Sequence, residues 1–231
     1  MYEKYFKRLL DVCAAGAALL VLSPVLLLLT VSGAIAMGGN PFFTQIRPGK
    51  KELDGQERLF RLIKFRSMSN RKGPDGKLLP DAVRLNRYGK LLRASSLDEL
   101  PELINILKGD MSLVGPRPLL VRDMVFMTQE QRRRHDVLPG LTGLAQISGR
   151  NAIAWEDKFR YDLRYIDEGI TFGADVRILL GTVGKVLNGA DTVREGTASD
   201  MDLGDWLLEK GTVDREEYEN KQAQARELLG V

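Results

Sequence analysis

The chain has 231 residues, 44% hydrophobic and 28% charged, enough for one domain with a real core plus a small appendage, and too apolar for wholesale disorder. One cysteine, Cys13, and one histidine, His135, exclude an intrachain disulfide framework, cysteine or multi-histidine zinc sites and most histidine-centred triads. The net charge of +3 is unevenly spread: from Gly196 onward 4 basic residues face 9 acidic ones, leaving 30 basic against 22 acidic before it, and so basic a body points to anionic partners such as phosphates, lipid headgroups or nucleic acid.

The first element is an uncharged apolar run from Val12 to Met37. As a straight helix it would reach about 39 Å, enough for a bilayer. Ser23-Pro24 sits at its middle; the proline removes a helical hydrogen bond and predicts a sharp kink, and the serine hydroxyl can take up part of the freed bonding capacity. Each half then spans only about 18 Å, too short to cross alone. Basic residues flank both sides, Lys4, Lys7 and Arg8 before and Arg47, Lys50 and Lys51 after, which favours both flanks on the cytoplasmic face. A re-entrant helix-break-helix over residues 1–38 satisfies both observations. The alternatives are one kinked transmembrane helix, or a signal peptide with a poor cleavage site at Ala34-Ile-Ala36.

Gly38-Gly-Asn-Pro41 breaks the helix and opens a body over 39–195. Residues 58–68 read as a strand, Asn70 to Pro80 as a loop rich in glycine and proline, and Asp81 to Arg93 as one basic helix. Leu100, Leu103, Ile104 and Leu107 form a helical stripe. So do Trp155, Phe159, Leu163 and Ile166, and then Val176, Leu179, Leu180, Val183 and Leu187; these last two are core or interfacial. His135, after Arg132-Arg-Arg134, reads as a solvated surface residue, and the arginines as a solvated face or a headgroup contact. Cys13 reads as packing or lipid contact. An acidic tail, 196–231, carries a polar helix whose start at Asp214-Arg-Glu-Glu217 is capping-box-like. The fold expected is mostly α with minor β, a membrane hairpin joined to a compact helical domain.

Chemistry concentrates in Ser95-Ser-Leu-Asp-Glu-Leu-Pro101. With the helix N-cap at Ser96 or at Asp98, Asp98 and Glu99 lie at the positive end of a helix dipole, which favours ionised carboxylates. Plain capping is the bland reading of such a pair. Against it stand Lys64, Arg66, Arg93, Arg117 and Arg150, set in short motifs. In Gly115-Pro-Arg-Pro118 two prolines stiffen the segment that aims Arg117, and a guanidinium suits bidentate phosphate recognition. Pro139-Gly-Leu-Thr-Gly143 with Gly149-Arg150 adds a glycine-rich loop, weak alone.

These strings resemble, in order, the small monotopic phosphoglycosyl transferases of the bacterial sugar transferase family. The resemblance runs from about Tyr5 to Leu187. It rests on Lys4-Tyr-Phe-Lys-Arg8 leading into Ser23-Pro24, on Lys64-Phe-Arg-Ser-Met68, and on Arg93 with Ser96-Leu-Asp-Glu-Leu-Pro101. It continues through Gly109-Asp-Met-Ser-Leu-Val-Gly-Pro-Arg-Pro118, Pro139 to Gly143, Gln146 with Gly149-Arg150, and Tyr161-Asp162 to Asp175. Residues 196–231 match nothing in the family core. The resemblance implies transfer of a sugar 1-phosphate from a UDP-sugar to polyprenyl (undecaprenyl) phosphate, releasing UMP. Asp98 is then the nucleophile and a ligand of Mg²⁺, Glu99 the general acid/base, and Lys64, Arg93, Arg117, Arg150 and, more weakly, Asp175 the substrate-binding groups. The helix dipole argues against Glu99 holding a proton. The implied location is the cytoplasmic face of a bacterial inner membrane, with homo-oligomerisation open. Two other readings stand beside it: a glycosyl transferase that releases UDP, and a membrane-anchored protein that binds anionic lipid or phosphate without catalysis. No recognition helix, base-stacking motif or zinc pattern supports nucleic acid.

Overall fold

The computed structural model describes residues 1–149, 153–187 and 201–230. After a π-helical turn, α1 (Lys7–Val21) and α2 (Ser23–Met37) meet at a bend of 64°. Pro24 occupies the first turn of α2, where its missing N–H costs no intrahelical bond. The Leu20 carbonyl, which an unbroken helix would bond to residue 24, instead accepts from Ser23 Oγ at 2.7 Å. Among the described residues no single helix is long and apolar enough to cross a membrane, while this bent pair has the length and composition to do so.

Both ends of the hairpin touch the body. From α1, Lys7 Nζ lies 2.6 Å from Asp175, Arg8 donates to the Ile106 carbonyl at 2.6 Å, and Asp11 accepts from Ser112 Oγ at 2.7 Å. Towards α2's far end, Tyr88 Oη donates to the Leu29 carbonyl at 2.9 Å and Asn86 to that of Ala36 at 3.1 Å. The bend stays exposed at Leu20 and Val21. Of the basic flank before the hairpin, Lys7 and Arg8 are internal anchors to the body. On the other side, Arg47 turns inward towards the Pro118 carbonyl and Lys51 pairs with Asp136.

Strand β1 (Phe42–Lys51) pairs antiparallel with β2 (Glu57–Phe65), with Phe42 opposite Phe65 and a register shift between Pro48 and Lys51. The expected strand is β2; β1 is additional, its pattern masked by Pro48 and Gly49. The expected basic helix splits into α3 (Asp81–Arg84) and α4 (Arg87–Ser95), because Asn86 caps α4 by accepting from the Gly89 N–H at 2.8 Å. A Cβ on Gly89 would lie 1.8 Å from the Ser67 carbonyl, so glycine there lets α4 close on the chain leaving β2. At Ser96 (φ 56°) the chain turns left-handed into a 3-10 turn, Leu97–Glu99. Pro101 then takes the N-cap position of α5 (Glu102–Lys108), so neither Ser96 nor Asp98 caps that helix.

Helix α5 also sits rotated from the expected stripe. Glu102, Leu103, Asn105 and Ile106 are buried, whereas Ile104 and Leu107 face outward. The polar Asn105 takes an inward position because it accepts from the Ile63 N–H (3.0 Å) and donates to the Arg61 carbonyl (2.8 Å), tying α5 to β2.

Strand β3 (Ser112–Val114) pairs parallel with β4 (Gly140–Thr142) across a crossover holding α6 (Val121–Met124) and a 3-10 segment, Gln131–Asp136. Helices α7 (Leu144–Ser148), α8 (Trp155–Asp167) and α9 (Phe172–Leu187) follow. On α8, Trp155 and Phe159 enter the core; on α9, Ile178 is buried but Phe172, Leu180 and Val183 are exposed. Helices α10 (Leu203–Glu209) and α11 (Arg215–Leu229) close the chain, with Leu203, Val213 and Ala225 packed into one cluster with Phe126, Trp155 and Phe159. Asp214 caps α11, as expected, by accepting from the Glu217 N–H. The fold is mostly helical with two small sheets. His135 departs from its surface assignment: it is 3% exposed, its Nδ1 lies 3.1 Å from Glu57, and burial lowers its pKa to about 4. Two of the three arginines before it are likewise structural, Arg132 paired with Glu57 and the buried Arg134 with Asp162, while Arg133 stays at the surface with Glu130 and Asp167.

Candidate active site

Along β2, Phe60, Leu62 and Lys64 alternate onto one face. The first two pack against Leu103 and Ile106 of α5, so Lys64 is delivered to the segment entering that helix. Its Nζ lies 2.9 Å from Glu99 and 3.0 Å from Glu102. Arg117 reaches Glu99 from the other side, NH2 to Oε1 in a short contact and NH1 to Oε2 at 3.5 Å. One carboxylate is thus held by two cations.

Arg117 is aimed by its backbone, as its flanking prolines lead one to expect. The Gly115 N–H bonds the Thr142 carbonyl and Gly140 bonds that of Pro116, both at 2.9 Å. Arg134, paired with Asp162 at 2.7 Å, donates to the Arg117 carbonyl at 2.6 Å. Gly115 must be glycine: a Cβ there would meet the Leu138 carbonyl at 2.4 Å.

Asp98 differs from its neighbour. It is partly buried and makes no hydrogen bond or ion pair among the described residues. Burial and the Glu99 charge raise its pKa, opposed by Lys64, Arg117 and Arg93. Arg93 is oriented by Ser67 Oγ at 2.9 Å and Met68 Sδ at 2.9 Å. Burial alone would raise Glu99, but Arg117 and Lys64 hold it well below the carboxylate range. Glu102, 2% exposed, goes the other way: burial pushes its carboxyl up to about 7. Burial would lower Lys64, yet Glu99 and Glu102 leave it raised.

The structure therefore brings together Asp98, Glu99, Lys64, Arg93 and Arg117. It does not bring in Asp175, whose oxygens are taken by Lys7 (2.6 Å), Tyr2 (2.8 Å) and Tyr165 (2.7 Å); Asp175 anchors α1. Ser23 and Pro24 lie at the hairpin bend. Arg150 lies outside the described residues. Glu102 is the member that sequence reasoning missed. Its signal is its place three residues after Glu99, obscured by the expectation that Leu100, Leu103, Ile104 and Leu107 mark the inward face.

Among the described residues no group of three or more His, Cys, Asp or Glu side chains is placed to hold a metal ion. A magnesium ion, however, is commonly bound through one or two carboxylates with substrate phosphates completing its shell. Asp98, the acid in this cluster not taken by a cation, fits that mode; Glu99 and Glu102 are already engaged.

Comparison with known proteins identifies the family. The family model for bacterial sugar transferases matches residues 2–189. The chain is 50% identical over 182 residues to the uncharacterized sugar transferase EpsL of Bacillus subtilis, covering 78% of this chain and 87% of that one. It is 37% identical over 190 residues to the UDP-glucose:undecaprenyl-phosphate glucose-1-phosphate transferase of Klebsiella pneumoniae, covering 78% of this chain but 40% of that longer protein. It is also 36% identical to the UDP-N-acetylgalactosamine-undecaprenyl-phosphate N-acetylgalactosaminephosphotransferase of Aeromonas hydrophila, over 80% of this chain and 44% of the other. The chain belongs to the bacterial sugar transferase family and is a transferase.

Proposed function

We propose that the chain transfers a sugar 1-phosphate from a UDP-sugar to polyprenyl phosphate, releasing UMP and leaving a polyprenyl diphosphate sugar. The observation that carries this reading is the contrast within the acidic pair: Asp98 makes no ion pair among the described residues, beside a Glu99 pinned by Lys64 and Arg117. A free carboxylate oxygen in a cluster of cations is what attack on a phosphorus atom needs, since Lys64, Arg93 and Arg117 offset the negative charge of the diphosphate. In the first half-reaction an Asp98 oxygen bonds the β-phosphorus, the bond from that phosphorus to the bridging oxygen breaks, and UMP departs. In the second, an oxygen of the lipid phosphate attacks the same phosphorus and returns the Asp98 carboxylate. Mg²⁺, held by Asp98 with the diphosphate, would neutralise charge on the donor and on the leaving UMP. Held ionised, Glu99 serves to orient Lys64 and Arg117 rather than to donate a proton. The names of relatives that act on UDP-sugars and undecaprenyl phosphate support the substrate classes.

We read the N-terminal hairpin as re-entrant. Support comes from its two ends, which bond the same body while the bend projects away with Leu20 77% exposed. Exposed Phe172, Leu180 and Val183 on α9 and Ile104 and Leu107 on α5 supply further apolar surface for the cytoplasmic face of an inner membrane, where a lipid phosphate and a soluble donor meet. In this reading residues 1–38 are the membrane hairpin, 39–195 the catalytic domain and 196–231 a C-terminal addition whose helices α10 and α11 pack on the body.

The test is nucleotide release from detergent-solubilised protein given undecaprenyl phosphate, Mg²⁺ and a panel of UDP-sugars. UMP from one donor supports the reading and names the sugar. UDP instead would mean sugar-only transfer and would overturn it. Asp98→Asn should abolish turnover without loss of thermal stability; an active Asp98→Asn enzyme would rule out the covalent route.

A further inference from the structure

We propose that Glu102 is a positioning residue for this site: its buried carboxyl group stands behind Lys64, fixes the ammonium against Glu99, and by its charge sets how much positive potential the cluster offers an anionic donor. The geometry is that of one cation shared by two acids. Lys64 Nζ sits 2.9 Å from Glu99 and 3.0 Å from Glu102, Glu99 ending the 3-10 turn and Glu102 opening α5 three residues on. Glu102 is 2% exposed, too enclosed to meet substrate. It acts only through its neighbours.

The charged groups that face Glu102 come from each element packed around it: Lys64 from β2, Arg47 from β1, Arg117 from the loop after β3, and Glu99 from its own segment. When Glu102 is ionised, Lys64 and Arg117 answer three carboxylates, those of Asp98, Glu99 and Glu102. When it is neutral they answer two, and Lys64 is undivided between Glu99 and an incoming phosphate. Burial, helped by the charge on Glu99 and opposed by Lys64 and Arg117, places this change at about pH 7. The sign follows. Below that pH the carboxyl is neutral, the cluster is more positive and a diphosphate is held more tightly; above it the carboxylate competes for Lys64 and the donor is held less tightly.

This inference rests on the reading that the donor is a UDP-sugar, and its test separates the two. The donor KM is measured from pH 6 to pH 8 at saturating undecaprenyl phosphate in wild type and in Glu102→Gln, which keeps the shape and a neutral oxygen towards Lys64. The wild-type KM should rise by about tenfold across that window, the size of effect a unit charge produces in a partly buried site. In Glu102→Gln it should stay flat near the low-pH value, while kcat moves little in either protein. A Glu102→Gln profile that still rises like the wild type overturns the proposal. The independent readout is the infrared C=O stretch of a protonated carboxyl, followed against pH in substrate-free protein. A band that titrates near neutrality in wild type and is missing in Glu102→Gln supports the proposal even if none of the UDP-sugars tried is turned over. A spectrum unchanged by the substitution overturns it, whatever the enzyme's substrate.

Discussion

Arg134 gives the sharpest test of how the site is held. It is 2% exposed, paired at 2.7 Å with Asp162, itself 3% exposed, and the same guanidinium donates to the Arg117 carbonyl at 2.6 Å. Arg134→Met leaves the Asp162 carboxylate buried and unpaired, a defect worth about 3–5 kcal/mol. At about 2–4 °C per kcal/mol for a chain of this length, Tm should fall by roughly 6–20 °C. The pair itself is a different matter. Burial raises the Asp162 pKa even against the attraction of Arg134, so the ion pair does not recover the cost of desolvating its acid. Replacing both partners by apolar residues, Arg134→Met with Asp162→Leu, should therefore restore stability to within about 1 kcal/mol of wild type. It should not restore function, because the Arg117 carbonyl still lacks its donor and the guanidinium is less well aimed. The assays are thermal denaturation in detergent and UMP release per folded molecule. A single variant within 2 °C of wild type, or a double variant no more stable than the single, would refute the reasoning.

Three other outcomes follow from the geometry. Pro24→Ala supplies a backbone N–H that can bond the Leu20 carbonyl in place of Ser23 Oγ, and it removes the ring that blocks an unbroken helix, so it should straighten the hairpin. In a Cys13→Ser, Glu3→Cys background, membrane-impermeant labelling from outside should then reach residue 3, and a wild-type hairpin already labelled from outside would exclude re-entry. Ser96, at φ 56°, carries roughly 1–2 kcal/mol of left-handed strain; Ser96→Gly should match or exceed wild-type Tm while Ser96→Val falls below it, and equal Tm for the two would refute the strain. His135 has a folded pKa of about 4 against an unfolded value near 6.5. The unfolded chain therefore binds the extra proton between those values, so stability falls as pH drops through that window. His135→Gln should flatten the fall of Tm between pH 6.5 and 4.

Legibility differed by the kind of signal. The hairpin break was plain because Pro24 forbids an unbroken helix locally, and the Arg117 segment because two prolines constrain it regardless of context. Asp98 and Glu99 stood out as an acidic pair among cationic motifs. What the sequence concealed depends on tertiary placement. Glu102 and Asn105 occupy inward positions of α5 because their partners, Lys64 and the β2 backbone, come from a strand some forty residues earlier. A stripe of Leu100, Leu103, Ile104 and Leu107 cannot show that, and so it predicts a helix rotated from the one observed. His135 and Arg134 looked like surface residues beside two other arginines; only the approach of Glu57 and Asp162 makes their burial possible. Asp175 drew attention for its place in a motif, yet its work is to receive Lys7, Tyr2 and Tyr165.

That last assignment bears on how such an enzyme can bring two unlike substrates together. Helix α1 is fastened at three points: Lys7 on Asp175 of α9, Arg8 on the carbonyls of Ile106 and Leu107 at the end of α5, and Asp11 on Ser112 Oγ and the Leu113 N–H of β3. Helix α5 begins just after Asp98 and Glu99, and β3 leads directly into the Arg117 segment. The N-terminal hairpin is therefore bonded directly to two of the elements that carry the candidate cluster, helix α5 at its far end and the strand leading to Arg117. If the hairpin is re-entrant, as proposed, its depth in the bilayer determines the height of Asp98 above the lipid phosphates. Breaking the attachment should then impair the lipid step more than the donor step. Asp11→Asn keeps the shape of the side chain but weakens its hold on Ser112 and Leu113. It should raise the KM for undecaprenyl phosphate several-fold while leaving the burst of UMP formed without acceptor unchanged. Equal loss in both half-reactions would show that α1 serves only the stability of the fold.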